Sequence, residues 1–290
     1  MAGHGDDRHA AARMRRRPRV VSESTLKRWV DSGQLRAEKT AGGHRKIAVA
    51  DALAFMRAHG HPAPSAEALG LLAEATQPGA TDVTSPDALA DLLLQGETTV
   101  ARTVLLNEFT RGRDLADMLD RLVAPTMVRI GTLWADGTIN VYQEHLATQR
   151  VWRILLELRG LLAAAPADAP LAVGGAPEGD PYLLPTLMAE LTLREMGWRT
   201  LSLGPDVPVA SLAAAVARLR PRLVWVSLTS TQVRPAFFEG YDAFYEQAAE
   251  GGTAVAIGGQ GLTPALQDRL VASAFGTLLA HLRAFARGLA

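Results

Sequence analysis

The spacing of apolar residues changes twice along the chain. From residue 87 to about 162, Leu, Val and Met recur every three or four positions, through LADLLLQG, Thr98–Arg111, Leu115–Leu133 and, after a break at Gly137, Asn140–Leu162. That is the period of amphipathic helices, and the short connections between long helices predict a four-helix bundle over residues 87–165, with Asp87 as a candidate cap. From residue 170 onward the period shortens. LAVGG, RTLSLG, LVWVSL and AVAIGG are brief apolar runs, each ending in Gly or Ser. Helical stretches lie between and after them at Leu184–Met196, Val209–Arg218, Pro235–Ala249 and Pro264–Val271. Strand alternating with helix predicts an α/β domain over residues 170–290, a parallel sheet covered on both faces.

The first 60 residues follow neither pattern. Val21-Ser-Glu-Ser-Thr-Leu-Lys-Arg-Trp-Val-Asp-Ser-Gly33 reads as one short helix, with Ser22 as N-cap, Glu23 in the first turn and Gly33 as its stop. Leu26, Trp29 and Val30 share one face; Ser24, Lys27 and Arg28 point elsewhere. Gln34 to Ile47 reads as two short strands around Gly42-Gly43, and Asp51-Ala-Leu-Ala-Phe-Met opens another helix. Residues 61–86, rich in Pro, Ala, Gly and Thr, read as a linker with one short helix at Ala66–Ala75.

Charge separates the head from the body. Residues 1–46 hold 12 Lys and Arg against five Asp and Glu, a net +7 that −7 over the rest of the chain balances to zero. A basic head on an acidic body predicts a polyanionic partner for the head. The chain contains no Cys, which excludes a disulfide framework and thiolate metal sites and fits a reducing cytoplasm. No apolar run reaches the roughly 20 residues of a membrane span, and the Arg-rich start lacks the apolar core of a signal peptide. The expected location is cytoplasmic, with no membrane partner. No hydrolytic triad, metal-ligating cluster or phosphate loop stands out; GGAPEG at 174–179 lacks the Lys-Ser/Thr of a P-loop.

The runs TLKRW and TAGGHRKI together resemble the winged helix-turn-helix of MerR-type regulators, placing a DNA-binding domain at residues 8–60. The resemblance implies that Ser24, Thr25, Lys27 and Arg28 face the major groove of double-stranded operator DNA. It places Arg36, His44, Arg45 and Lys46 on the wing, at phosphate or minor groove. The segment at the place of the motif's first helix, His9 to Arg19, is Arg-rich rather than apolar.

Asp180-Pro-Tyr182-Leu-Leu-Pro185, then 41 residues, Ser227-Leu-Thr229, then 28 residues, and Gly258-Gly259 resemble the spacing of the cobalamin-binding domain, a Rossmann-like (flavodoxin-like) fold. In that family the nucleotide tail of the cofactor slides between the Ser and the Gly pair. The frame is kept, but Tyr182 stands where the family has the His that ligates cobalt from below, and Pro185 stands where it has Gly. A phenol must lose its proton to become a good ligand. Trp134 followed ten residues later by Glu144-His145 resembles the helical cap of CarH-type light-sensing repressors. The resemblance implies that Trp134, Val141, Glu144 and His145 cover the upper face of the cofactor. Those sensors also carry a His directly after the Trp; here it is Ala135.

These readings give a multidomain regulator, not an enzyme: winged helix-turn-helix, four-helix-bundle cap and cobalamin-type α/β domain. It is expected to repress transcription as a homo-oligomer, dimer or tetramer, under control of its C-terminal half and of light. Cofactor-binding candidates are Trp134, Val141, Glu144, His145, Tyr182, Ser227, Thr229, Gly258 and Gly259; no residue is a candidate metal ligand. The cofactor is adenosylcobalamin without a lower protein ligand, a bilin or other tetrapyrrole, or none, in which case the α/β domain serves assembly alone. The alternative is a corrinoid carrier for methyl transfer.

Overall fold

A computed structural model describes residues 23–39, 45–59, 85–111, 114–230 and 235–289, with isolated residues at 61, 66, 69 and 71. Contacts divide the chain into two units, Met1–Ile47 and Ala48–Ala290.

In the first unit, helix α1 (Glu23–Asp31) precedes strands β1 (Glu38–Lys39) and β2 (Arg45–Lys46), an antiparallel pair in which Glu38 faces Lys46. Past the end of α1, Gly33 donates its N–H to the Val30 carbonyl at 3.1 Å. Arg45 ties the strand pair back to α1 through an ion pair with Asp31 and a hydrogen bond to the Lys27 carbonyl. That bond from Arg45 holds the Asp31 carboxyl below the usual carboxylate range. The expected first helix, Ser22 and His44 lie outside the described residues.

The second unit opens with α2 (Val49–Ala58), which buries Leu53 and Phe55. Its Arg57 lies over the Phe109 ring at 4.1 Å and pairs with Glu195 at 2.8 Å. Contacts group α2 with the second unit, because its apolar face packs into that unit's core. Ala66, in the expected linker, is buried in that same core.

Four helical segments follow: α3 (Pro86–Gln95), α4 (Thr98–Thr110), a continuous stretch made of α5 (Leu115–Met118), a π-helical segment (Leu119–Val123) and α6 (Ala124–Ala135), and α7 (Val141–Gly160). Ser85, not Asp87, caps α3: its hydroxyl accepts the Ala88 N–H, with Pro86 at the first helical position. A reciprocal pair of hydrogen bonds between Asn140 and Gln143 caps α7. The π-helical segment has a local cause. Pro125 has no N–H to offer the Arg121 carbonyl four residues back, and its ring crowds that carbonyl.

The α/β part runs β3 (Leu171–Gly175), α8 (Leu183–Glu195), β4 (Arg199–Ser202), α9 (Val209–Leu219), β5 (Leu223–Ser227), α10 (Pro235–Glu250), β6 (Ala254–Gly258), α11 (Pro264–Arg269), β7 (Ala274–Gly276) and α12 (Leu279–Leu289). All five strands are parallel in the order β4-β3-β5-β6-β7, a doubly wound Rossmann-like sheet. Along β5, Val224 and Val226 pack toward α9 and α10, while Leu223 and Trp225 pack toward α8 and α12. Gly174 on β3 makes room for Trp225, since a Cβ there would come within 2.2 Å of its ring.

Polar ties join the helical part to α8 and α12. Asp120, in the π-helical segment, accepts the N–H groups of Leu279 and Ala280, both at 2.9 Å, at the start of α12. Arg283 pairs with Asp114, and Glu195 accepts the Leu115 N–H at 2.9 Å. Burial outweighs these bonds for Asp120 and Glu195, pushing both carboxyls above the usual range.

Candidate functional site

The helices α6 and α7 and the carboxyl ends of β5, β6 and β7 face one another across a cavity of about 940 Å³. Ligands of open parallel sheets bind at such strand ends. The helical wall presents Trp134, Val141, Glu144 and His145; the sheet wall presents Tyr182, Ser227, Thr229, Gly258 and Gly259. All nine cofactor-site residues read from the sequence therefore line one space, although up to 125 positions separate them along the chain.

Trp134, Val141 and Tyr182 are roughly half exposed, at 48%, 49% and 47%. Trp134 and Ala135 end α6, and Ala135 lines the same space with a methyl group. Glu144 accepts the Thr148 hydroxyl at 2.8 Å, and its other oxygen lies 3.5 Å from Nε2 of His145. Ser227 is buried at the end of β5. The Thr229 hydroxyl is buried without a hydrogen-bond partner among the described residues, a polar atom left over in the cavity wall.

Tyr182 occupies the N-cap position of α8, but its ring does not cap the helix. The organising group is Asp180, whose side chain is fully buried. One carboxylate oxygen accepts the Tyr182 N–H at 3.1 Å; the other accepts the N–H groups of Thr229 at 2.6 Å and Ser230 at 2.8 Å. It thereby joins the loop before α8 to the loop after β5. The Gly pair owes its identity to the protein's own backbone. Gly259 has φ +123°, and a Cβ there would lie 2.1 Å from the Leu228 carbonyl oxygen; at Gly258 it would lie 2.6 Å from that of Gly276.

Several contributors were not singled out in the sequence. Trp225 donates its indole N–H to Thr186 at 3.0 Å and lines the cavity with Met188, Gln260 and His281. His281 packs against Gly276, where a Cβ would meet its own at 2.6 Å. Trp225 sits inside the LVWVSL run, where periodicity identifies a strand but not what the indole faces. His281 follows the last strand with no motif around it. Asp180 was legible as part of a motif, though not as the tie between two loops.

In the first unit, Ser24, Lys27, Arg28, Arg36, Arg45 and Lys46 are exposed and Thr25 is half-buried. Arg45 is engaged by Asp31.

Residues 87–158 match the family model described as the B12 binding domain. The match runs from α3 to α7 and so covers the helical wall. Among curated proteins, the chain is 34% identical over 142 residues to the HTH-type transcriptional repressor CarH of Myxococcus xanthus, covering 48% of this chain and 46% of that protein. It is 29% identical over 135 residues to the HTH-type transcriptional repressor CarA of the same organism, covering 47% and 45%. The chain thus matches about half the length of these relatives. The monomethylamine corrinoid protein of Methanosarcina barkeri superposes with a TM-score of 0.59 at 17% identity, covering 70% of this chain and 96% of that one, a likeness of fold.

Proposed function

We propose that this chain is a transcriptional repressor that binds operator DNA through its basic head and a cobalamin through its helical and α/β parts. The single observation that carries this reading is the convergence of Trp134, Val141, Glu144 and His145 with Ser227, Thr229, Gly258 and Gly259 around one 940 Å³ cavity. Similarity to the CarH and CarA repressors supports the regulatory half of the reading. In this reading residues 8–60 form the winged helix-turn-helix. Helix α1 enters the major groove with Lys27 and Arg28, and Lys46 approaches phosphate from the wing. Residues 87–165 form the four-helix cap. The protein works in the cytoplasm as a homo-oligomer whose assembly responds to the bound cofactor and to light, and it catalyses no reaction.

The residues present fit an amide-edged macrocycle. Among the described residues lining the cavity there is no Lys or Arg, while Asp120 and Glu144 are acidic. A haem or a bilin brings propionates that need cationic partners. A corrinoid ring presents neutral amides, which Gln149, Gln260 and the unpartnered Thr229 hydroxyl can hydrogen-bond. The residues present do not fit a cobalt–imidazole bond at position 182. The basic head favours a regulator over a methyl-transfer carrier.

The test is gel filtration of the purified protein with adenosylcobalamin in the dark, followed by gel-shift assay on DNA flanking its own gene before and after illumination. Co-eluting visible absorbance, with a light-dependent shift of that DNA, is expected. Protein that elutes without absorbance sinks the cobalamin reading, and failure to shift any flanking fragment sinks the repressor reading.

A further inference from the structure

Position 182 could lose its imidazole in two ways: by handing cobalt ligation to another residue, or by abandoning it. We infer that the cavity holds a corrinoid between two aromatic walls with no bond from the protein to the cobalt. This inference rests on the cobalamin reading above.

Three observations carry it. First, the group that would orient an axial ligand is already committed. Both oxygens of Asp180 already accept backbone N–H groups, from Tyr182, Thr229 and Ser230 at 2.6–3.1 Å, which fills three of the roughly four acceptor positions of a carboxylate. A metal-bound imidazole needs such an acceptor for its second nitrogen. Second, no described lining residue is a Lys or Arg that would stabilise a Tyr182 phenolate, and Ala135 offers only a methyl group. Third, what the walls do offer is flat and apolar. Trp134 from α6 and Tyr182 from the start of α8 are each nearly half exposed and both border the cavity. Aromatic rings bordering a macrocycle hold it by area and dispersion, and this hold needs no bond to the metal. The two imidazoles at the cavity, His145 beside Glu144 and His281 against Gly276, are the remaining nitrogen donors, and the experiment tests each of them.

The deciding experiment compares hydroxocobalamin with cobalamin held in its dicyano form by excess cyanide, a reagent this chain tolerates because it has no disulfide to cleave. With both axial positions closed by cyanide, a protein that ligates cobalt must first displace one. Equilibrium dialysis is expected to give affinities for the two forms within threefold of each other, and neither bound ligand is expected to show the bands of a corrinoid ligated by a protein nitrogen. Tyr182→His is expected to shift the bands of bound hydroxocobalamin toward those of a nitrogen-ligated corrinoid. A tenfold or greater loss of affinity for the dicyano form overturns the inference alone. So does a nitrogen-ligated spectrum of the wild type that His145→Ala or His281→Ala abolishes. Failure of both forms to bind overturns the inference together with the cobalamin reading.

Discussion

The carboxylate of Asp180 accepts the backbone N–H of Thr229 at 2.6 Å, across 49 positions of sequence. This bond makes the floor of the cavity one piece: the loop entering α8 cannot move without the loop leaving β5. Asp180→Asn keeps the size of the side chain but removes its charge and one acceptor. Thermal unfolding is expected to show a loss of about 1–3 kcal/mol, and dialysis at least a tenfold loss of cobalamin affinity. Unchanged affinity in a folded variant would show that the floor needs no such tie.

The aromatic wall gives a graded expectation. Trp134→Phe retains a ring, whereas Trp134→Ala removes it from a surface already half exposed, so stability should change little. Cobalamin affinity, followed by difference spectroscopy, is expected to fall severalfold in the first and about tenfold or more in the second, roughly 1.4 kcal/mol.

Ligand choice follows from charge. Haemin and biliverdin, which carry propionates, are expected to bind at least tenfold more weakly than cobalamin. Gln149→Arg, which adds a cation to the lining, should narrow that gap. Competition for bound cobalamin measures both.

Glu108 provides a pH signature. It is buried, and although burial opposes its charge, hydrogen bonds from Arg111 and Arg121 hold its carboxyl below the usual range. A depressed carboxyl stabilises the fold above its unfolded value, and that stabilisation fades as pH falls through the lower folded value. Glu108→Gln is expected to cost about 1–3 kcal/mol at pH 7, and the deficit relative to wild type should shrink below about pH 4. Urea melts across that window check the sign.

At the head, Lys46→Ala is expected to weaken DNA binding alike on every sequence and lower the salt slope by about one. Arg45→Ala should cost more, because Arg45 also joins the strand pair to α1 through Asp31. Titration of labelled DNA at several salt concentrations separates the two effects.

The legible parts were those that local chemistry dictates. The brief apolar runs LVWVSL and AVAIGG marked the central strands, and each ended where the sheet ends. The Ser227 and Gly258-Gly259 intervals marked the strand ends that meet the cavity. The parts missed depend on who packs against whom. Val49–Ala58 looks like the close of a small basic module, yet Leu53 completes a core built mainly by helices beyond residue 85. Ser85 outcompeted Asp87 as a cap because Pro86 already had the backbone angle of a first helical residue. The engagement of Asp180 with Thr229 and Ser230 has no local signature, since backbone donors leave no trace in a sequence.

The π-helical segment Leu119–Val123 carries one residue more per turn than the helix on either side. At 3.6 residues per turn, that extra residue advances everything after it by about 100°. The angular setting of Trp134 at the cavity is therefore fixed nine positions upstream, by the crowding of Pro125. Deleting one residue from the segment would leave the composition of α6 intact and aim Trp134 away from the space it now borders.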